Sequence, residues 1–192
     1  MTTTLSERTS KSIHPQKFLM WVALGGIIMM FAGLTSAYIV KKNQSSWLQF
    51  DLPIEFYYST AVIVLSSVSM FLSAKAIKAG KWGQYKPMIT VTAVLGILFL
   101  FLQYLGFKDL QAKNIAIVGA RSNSAASFLF VITFLHMLHV LGGVIALIVF
   151  WVKSKGKKTT ESSLLPVEIL GTYWHFVGLL WIYLFLFYNW IG

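Results

Sequence analysis

Three histidines sit inside long apolar runs of this 192-residue chain. His136 and His139 lie three residues apart, so on a helix they share one face. His175 lies in the run Thr172–Trp190, which holds no Asp, Glu, Lys or Arg and is rich in Trp and Tyr. Glu168 stands about two helical turns before it. An imidazole in such a run needs a partner on another helix or chain, because lipid offers none. Three chemistries suit this set. A haem could be held between His139 and His175. A metal could be held by His136, His139 and Glu168. Alternatively, the side chains form a hydrogen-bonded cluster that fixes helix packing. The last is favoured: a histidine pair at this spacing is a weak metal signal without a carboxylate from a third helix. No catalytic residue is expected, because the apolar runs hold no acid or base beyond the histidines. His14, the fourth histidine, belongs to a polar leader, and cysteine is absent, which excludes disulfides and thiolate sites.

These residues must be positioned by membrane-spanning helices. The chain is 57% apolar and 11% charged, against about 25% charge in a soluble domain. Five windows lack Asp, Glu, Lys and Arg: Phe18–Val40, Phe56–Ala74, Pro87–Phe107, Ser122–Val152 and Ile169–Gly192. Each reaches the roughly 20 residues that a spanning helix needs. The expected fold is all-α, an integral membrane bundle of five transmembrane helices. The helices are placed at about 18–40, 56–79, 87–107, 126–152 and 168–190, within one domain over 18–192, after a leader at 1–17. Pro87 is expected to open the third helix. The first window is too long for a signal-peptide core and lacks a cleavage pattern, so it is expected to stay in the protein.

The net charge of +10 would raise nucleic acid as a partner in a soluble protein. Here the charge sits between the spans, so no nucleic acid is expected. Eleven of the 16 Lys and Arg residues fall in the leader, the 75–86 region and the 153–158 loop, all on one side. The positive-inside rule then puts the N-terminus in the cytoplasm and the C-terminus outside.

The second window carries Ser59, Ser66, Ser69 and Ser73 on one helical face. Small polar residues on such a face mark a helix-packing surface. A polar transport path is the alternative, but it lacks an intramembrane ionisable residue. A transporter is also disfavoured by the lack of inverted repeats. In the first window Gly25, Gly26 and Gly33 would admit a neighbouring helix closely.

Several motifs together carry a family resemblance. Glu168, Tyr173, Trp174, His175, Phe176, Val177 and Trp181 fit E-x4-YWHFVD-x2-W, with Gly178 in place of the Asp. Thr133, His136, Leu138, His139, Val140 and Gly143 fit TGFHGLHV-x2-G, with Phe134 and Met137 replacing two glycines. Leu95, Gly96, Phe99 and Gln103 fit LG-x2-F-x3-Q. Ser59, Thr60, Ser67 and Ser69, and Phe31, Gly33 and Ala37, add weaker matches. The sequence resembles the haem-copper oxidase subunit III family (cytochrome c oxidase subunit 3), in its five-helix bacterial form.

The resemblance implies a multi-pass protein of the bacterial inner membrane, and a non-catalytic, structural role. The setting would be a proton-pumping terminal oxidase of aerobic respiratory electron transport. Its partners would be oxidase subunits I and II, membrane lipids, and in some settings a respiratory supercomplex. This chain would hold no cofactor; haem and copper would reside in the partner subunits, which oxidise cytochrome c and reduce oxygen. His136, His139, Glu168, Tyr173, Trp174 and His175 would form a structural polar cluster. Ile27, Gly106 and Gly178 stand where the family often has carboxylates, which argues against direct proton handling. A quinol oxidase subunit III or a nitric-oxide-reductase accessory subunit is the alternative within the class. A b-type cytochrome membrane anchor is the alternative outside it.

Overall fold

A computed structural model describes residues 15–43, 51–113, 124–154 and 164–191. Residues 1–14 of the leader, with His14, and the lysines at 155–158 lie outside the described residues. Five helices follow in order: α1 (Pro15–Lys42), α2 (Ile54–Lys78), α3 (Trp82–Ala112), α4 (Ser124–Ser154) and α5 (Leu164–Ile191). No strand occurs among the described residues. The shortest helix, α2, has 25 residues and rises about 37 Å, enough to cross a hydrocarbon core of about 30 Å. All five are apolar and long enough to span a membrane. Their outer faces stay apolar: Leu19, Met29, Phe71, Phe101, Leu179 and Leu186 are all exposed, as side chains facing lipid should be.

Each helix runs past its charge-free window. Lys17, Lys41, Lys42, Lys75, Lys78, Lys108 and Lys153 all sit within helices. A lysine can remain helical at the membrane boundary by extending its ammonium toward water. Pro87 does not open α3, which begins five residues earlier at Trp82. The hydrogen bond it forgoes would reach the carbonyl of Gly83, an exposed residue of the first turn.

The helices α2, α3, α4 and α5 form a closed ring in which each packs on its two neighbours. Trp174, Trp181, Phe99, Ile132 and Met70 fill its centre. α1 lies outside this ring, against α4 and α5, and does not pack on α2. Among the described residues, none comes within 4 Å of where a β-carbon on Gly25, Gly26 or Gly33 of α1 would stand.

The α2–α3 turn fixes the ring's tightest hairpin. Gly80 adopts a φ of +68°, which a glycine adopts without steric penalty. Its N–H donates to the Ile77 carbonyl at 3.1 Å, and Lys81 N–H donates to Ala76 at 3.0 Å. This pair of bonds is the Schellman closure of a helix C-terminus. At one end of the bundle the starts of α1 and α5 meet the end of α2, through Lys17, Glu168 and Lys78. At the other end Tyr57 Oη donates to Asn189 Oδ1 at 2.7 Å, and Lys42 donates to the Ile191 carbonyl.

Candidate functional site: the polar seams of α5

Successive residues on a helix step about 100° around its axis. α5 therefore presents its aromatic motif to three different neighbours. Trp174 and Trp181 turn into the ring. Tyr173 turns toward α4, and Glu168, Thr172 and His175 turn toward the crevice between α1 and α2.

The ring-facing side is a set of inter-helix hydrogen bonds centred on α2. Trp174 Nε1 donates to Ser66 Oγ at 2.9 Å, and Trp181 Nε1 donates to Thr60 Oγ1 at 2.9 Å. Gln103 Nε2, from α3, donates to Ser59 Oγ at 2.8 Å. Ser69 and Thr92 hydroxyls share a bond of 2.7 Å. Ser59, Ser66, Ser69 and Ser73 are all buried. Three of them hold α3 or α5, while Ser73 Oγ has no hydrogen-bond partner among the described residues. Every such bond satisfies a polar group that lipid would leave bare. Thr60 and Trp181 stood among the family-like residues, but nothing in their spacing showed that they would pair.

The histidines do not join one hydrogen-bonded cluster. His136 is fully buried in the ring, and neither ring nitrogen has a hydrogen-bond partner among the described residues. Its imidazole stacks on Trp181 with centroids 5.3 Å apart and planes 28° apart. Phe31 and Phe99 meet it edge-on at 6.3 and 5.9 Å. His139 binds the Leu135 carbonyl of its own helix through Nδ1 at 2.7 Å and packs on Phe31. The link from α5 to this region is Tyr173 Oη, which donates to the His139 backbone carbonyl at 2.9 Å. His175 lines two cavities, and His139 lines neither.

Glu168 turns away from the histidines of α4. Its two oxygens accept from Lys17 Nζ at 2.8 Å and from Lys78 Nζ at 3.1 Å. One carboxylate thus ties α1 to the end of α2, two helices with no packing contact of their own. The expected six-residue cluster therefore separates into a ring seam, an α4 contact and an ion-bridged crevice. The signal for the crevice was present in the sequence, since Lys17, Lys78 and Glu168 all fall at the same membrane boundary by span count. Among the described residues no group of three or more His, Cys, Asp or Glu side chains is placed to hold a metal ion.

The residues at the family's carboxylate positions have steric roles. Ile27 packs against the core. A β-carbon on Gly106 would approach Phe56 Cε2 to 3.1 Å, and one on Gly178 would approach Ser67 Oγ to 3.0 Å.

The family model described as "Cytochrome c oxidase subunit III" matches residues 48–192, which include α2 to α5. A "Probable cytochrome c oxidase subunit 3" of Nocardia farcinica is 28% identical over 172 residues, covering 84% of this chain and 81% of the relative. A "Cytochrome c oxidase subunit 3" of Corynebacterium diphtheriae is 27% identical, covering 86% and 82%. A "Cytochrome bo(3) ubiquinol oxidase subunit 3" of Buchnera aphidicola is 27% identical, covering 88% and 83%. Five apolar spans and these bacterial relatives make this a multi-pass protein of the bacterial inner membrane. With three quarters of its length matched, the chain belongs to the cytochrome c oxidase subunit III family.

Proposed function

We propose that this chain is the structural subunit III of a proton-pumping haem-copper terminal oxidase, and performs no chemistry of its own. The observation that carries this is the family match over α2 to α5. Its motif residues are spent on holding helices together: Trp174 on Ser66, Trp181 on Thr60, and Gln103 on Ser59. Electron transfer and oxygen reduction belong to partner subunits I and II, with their haem and copper. The lysine-rich end, with Lys17, Lys75 and Lys78, faces the cytoplasm.

The Buchnera relative's name favours one second reading, a quinol-oxidising complex. The electron donor is a property of the partners, so both readings assign this chain the same scaffold role.

The test is to purify the tagged chain from its native membrane and identify its companions by mass spectrometry. Oxidase subunits I and II are expected, with a haem spectrum that stays with them when this chain is stripped away. A haem band that remains with the isolated, dithionite-reduced chain would instead make it a b-type cytochrome anchor.

A further inference from the structure

The two halves of α1 are held differently. In the second half, Phe31 packs edge-on against His139 at 5.8 Å and Tyr38 against Phe187 at 5.2 Å. The Thr35 and Tyr183 hydroxyls share a bond of 3.2 Å, and Lys42 donates to the Ile191 carbonyl. In the opening turns none of residues 15–23 is buried, and Leu24 is the first that is. Among the described residues, the one polar tie of these turns to the ring is Lys17 to Glu168, at 2.8 Å.

Cavities flank these turns on both sides. One, of about 370 Å³, lies toward α2, where Lys17 and Met20 face Lys78, Glu168 and His175. The other, of about 810 Å³, lies toward α4, where Leu19, Met20 and Ala23 face Gly142 and Phe150. Met20 lines both, so one unbranched side chain stands between them. Immediately beyond the loose turns come Gly25 and Gly26. We propose that the arm formed by residues 15–23 is a gate, which swings about Gly25 and Gly26 and is latched shut by Glu168. Its outward swing takes Met20 from between the two cavities, joins them, and opens His175 at the membrane boundary.

Segments with few buried contacts open at the lowest free energies in a fold, and a hinge concentrates the motion in a few residues. Glycine is the poorest helix former after proline, and helices bend where glycines cluster. Close packing explains Gly96, where a β-carbon would stand 2.7 Å from Trp174 Cη2. It does not explain Gly25 and Gly26, whose β-carbons would meet nothing within 4 Å among the described residues. The latch is weak enough to release. Lys17 and Glu168 are 39% and 35% exposed, and such a pair shifts an equilibrium by no more than about fivefold. The gate needs only α1 and the ring, so it stands whether or not the oxidase assignment does.

The chain has no cysteine, so spin labels can be placed by cysteine substitution alone and distances read by pulsed electron paramagnetic resonance. The full chain is used, in a neutral detergent. Phe18→Cys with Val152→Cys spans from the arm to α4, and Val40→Cys with Ile54→Cys spans from the second half of α1 to α2; all four positions are exposed. The arm pair is expected to show a second distance beside the main one, while the outer pair shows one. Glu168→Gln should raise the share of the second distance about two- to fivefold, the worth of an exposed ion pair. High salt should do the same to the chain that keeps Glu168, without any change at the latch. Gly25→Ala with Gly26→Ala should suppress the second distance, even beside Glu168→Gln. The unchanged outer-pair distance and far-UV helicity check that each variant is folded. A single arm distance in the Glu168→Gln chain and at high salt would overturn the proposal. So would equal spreading of both pairs, which means that α1 leaves the ring whole, or a second distance indifferent to the two alanines.

Discussion

Gly96 and the indole of Trp174 are in direct contact. A β-carbon on Gly96 would stand 2.7 Å from Trp174 Cη2 and 2.8 Å from Val144 Cγ2. Helices α3, α4 and α5 therefore meet at one point, and its closeness depends on a missing side chain. Gly96→Ala should force the indole or Val144 to shift and lower stability by about 1–3 kcal/mol, the usual range for overpacking. Gly26→Ala on α1 meets nothing within 4 Å. In the isolated chain it should be neutral or gain up to about 1 kcal/mol from better helix propensity. Thermal unfolding of the two variants in detergent measures the contrast; equal shifts would refute it.

His136 offers a test with an unusual sign. Its two nitrogens have no hydrogen-bond partner among the described residues, yet the ring is fully buried among Trp181, Phe31 and Phe99. Burying an unpaired polar group carries a desolvation penalty of about 1–3 kcal/mol. His136→Leu should therefore leave the isolated chain about as stable as before, or more stable. His136→Ala should lower stability by about 2–5 kcal/mol, because it opens a cavity beneath Trp181. If both substitutions destabilise equally in a thermal melt, the imidazole nitrogens matter and the ring is not simply packing.

The five spans were legible because lipid segregates charge so strongly that a charge-free window is nearly a helix. The helix ends were less so. Lys17 and Lys42 stand inside α1, since a lysine at the boundary can stay helical and reach for water. Spacing alone puts Ser59, Ser66, Ser69 and Ser73 on one face of α2, because one helix's own periodicity defines a face; what that face meets is set by the neighbouring helices. The grouping of His136, His139, Glu168 and His175 was not. Spacing says that Glu168 and His175 share a face of α5, and that His136 and His139 share a face of α4. It does not say that these faces look in different directions. That depends on how α5 is rotated in the ring, which the two tryptophans decide by occupying its centre.

The Glu168 bridge should respond to salt in a way that identifies it. The three side chains are more than a third exposed or close to it, so the bridge contributes below about 1 kcal/mol. Added salt should lower the wild-type melting temperature slightly by screening attraction. Glu168→Gln leaves Lys17 and Lys78 facing each other without their counter-charge, so salt should raise the melting temperature of that variant. A response of the same sign in both proteins would show that the bridge does not form in solution.

The Trp174–Ser66 bond should be asymmetric when broken from its two sides. Ser66→Ala leaves the Trp174 N–H buried with no acceptor, a position with a penalty of about 1–3 kcal/mol. Trp174→Phe removes the donor, while Ser66 Oγ keeps the Thr92 carbonyl within 3.4 Å. Its polar penalty should be smaller, although the lost ring volume adds a packing loss in the same direction. A double-mutant cycle separates the two, because the packing loss appears on both arms of the cycle and cancels. The coupling is expected near the membrane-protein average of about 0.6 kcal/mol, and no more than about 1.7 kcal/mol. A coupling indistinguishable from zero would mean that Ser66 and Trp174 are held together by packing alone. The serine at 66 would then matter for its small size and its contact with the Thr92 carbonyl.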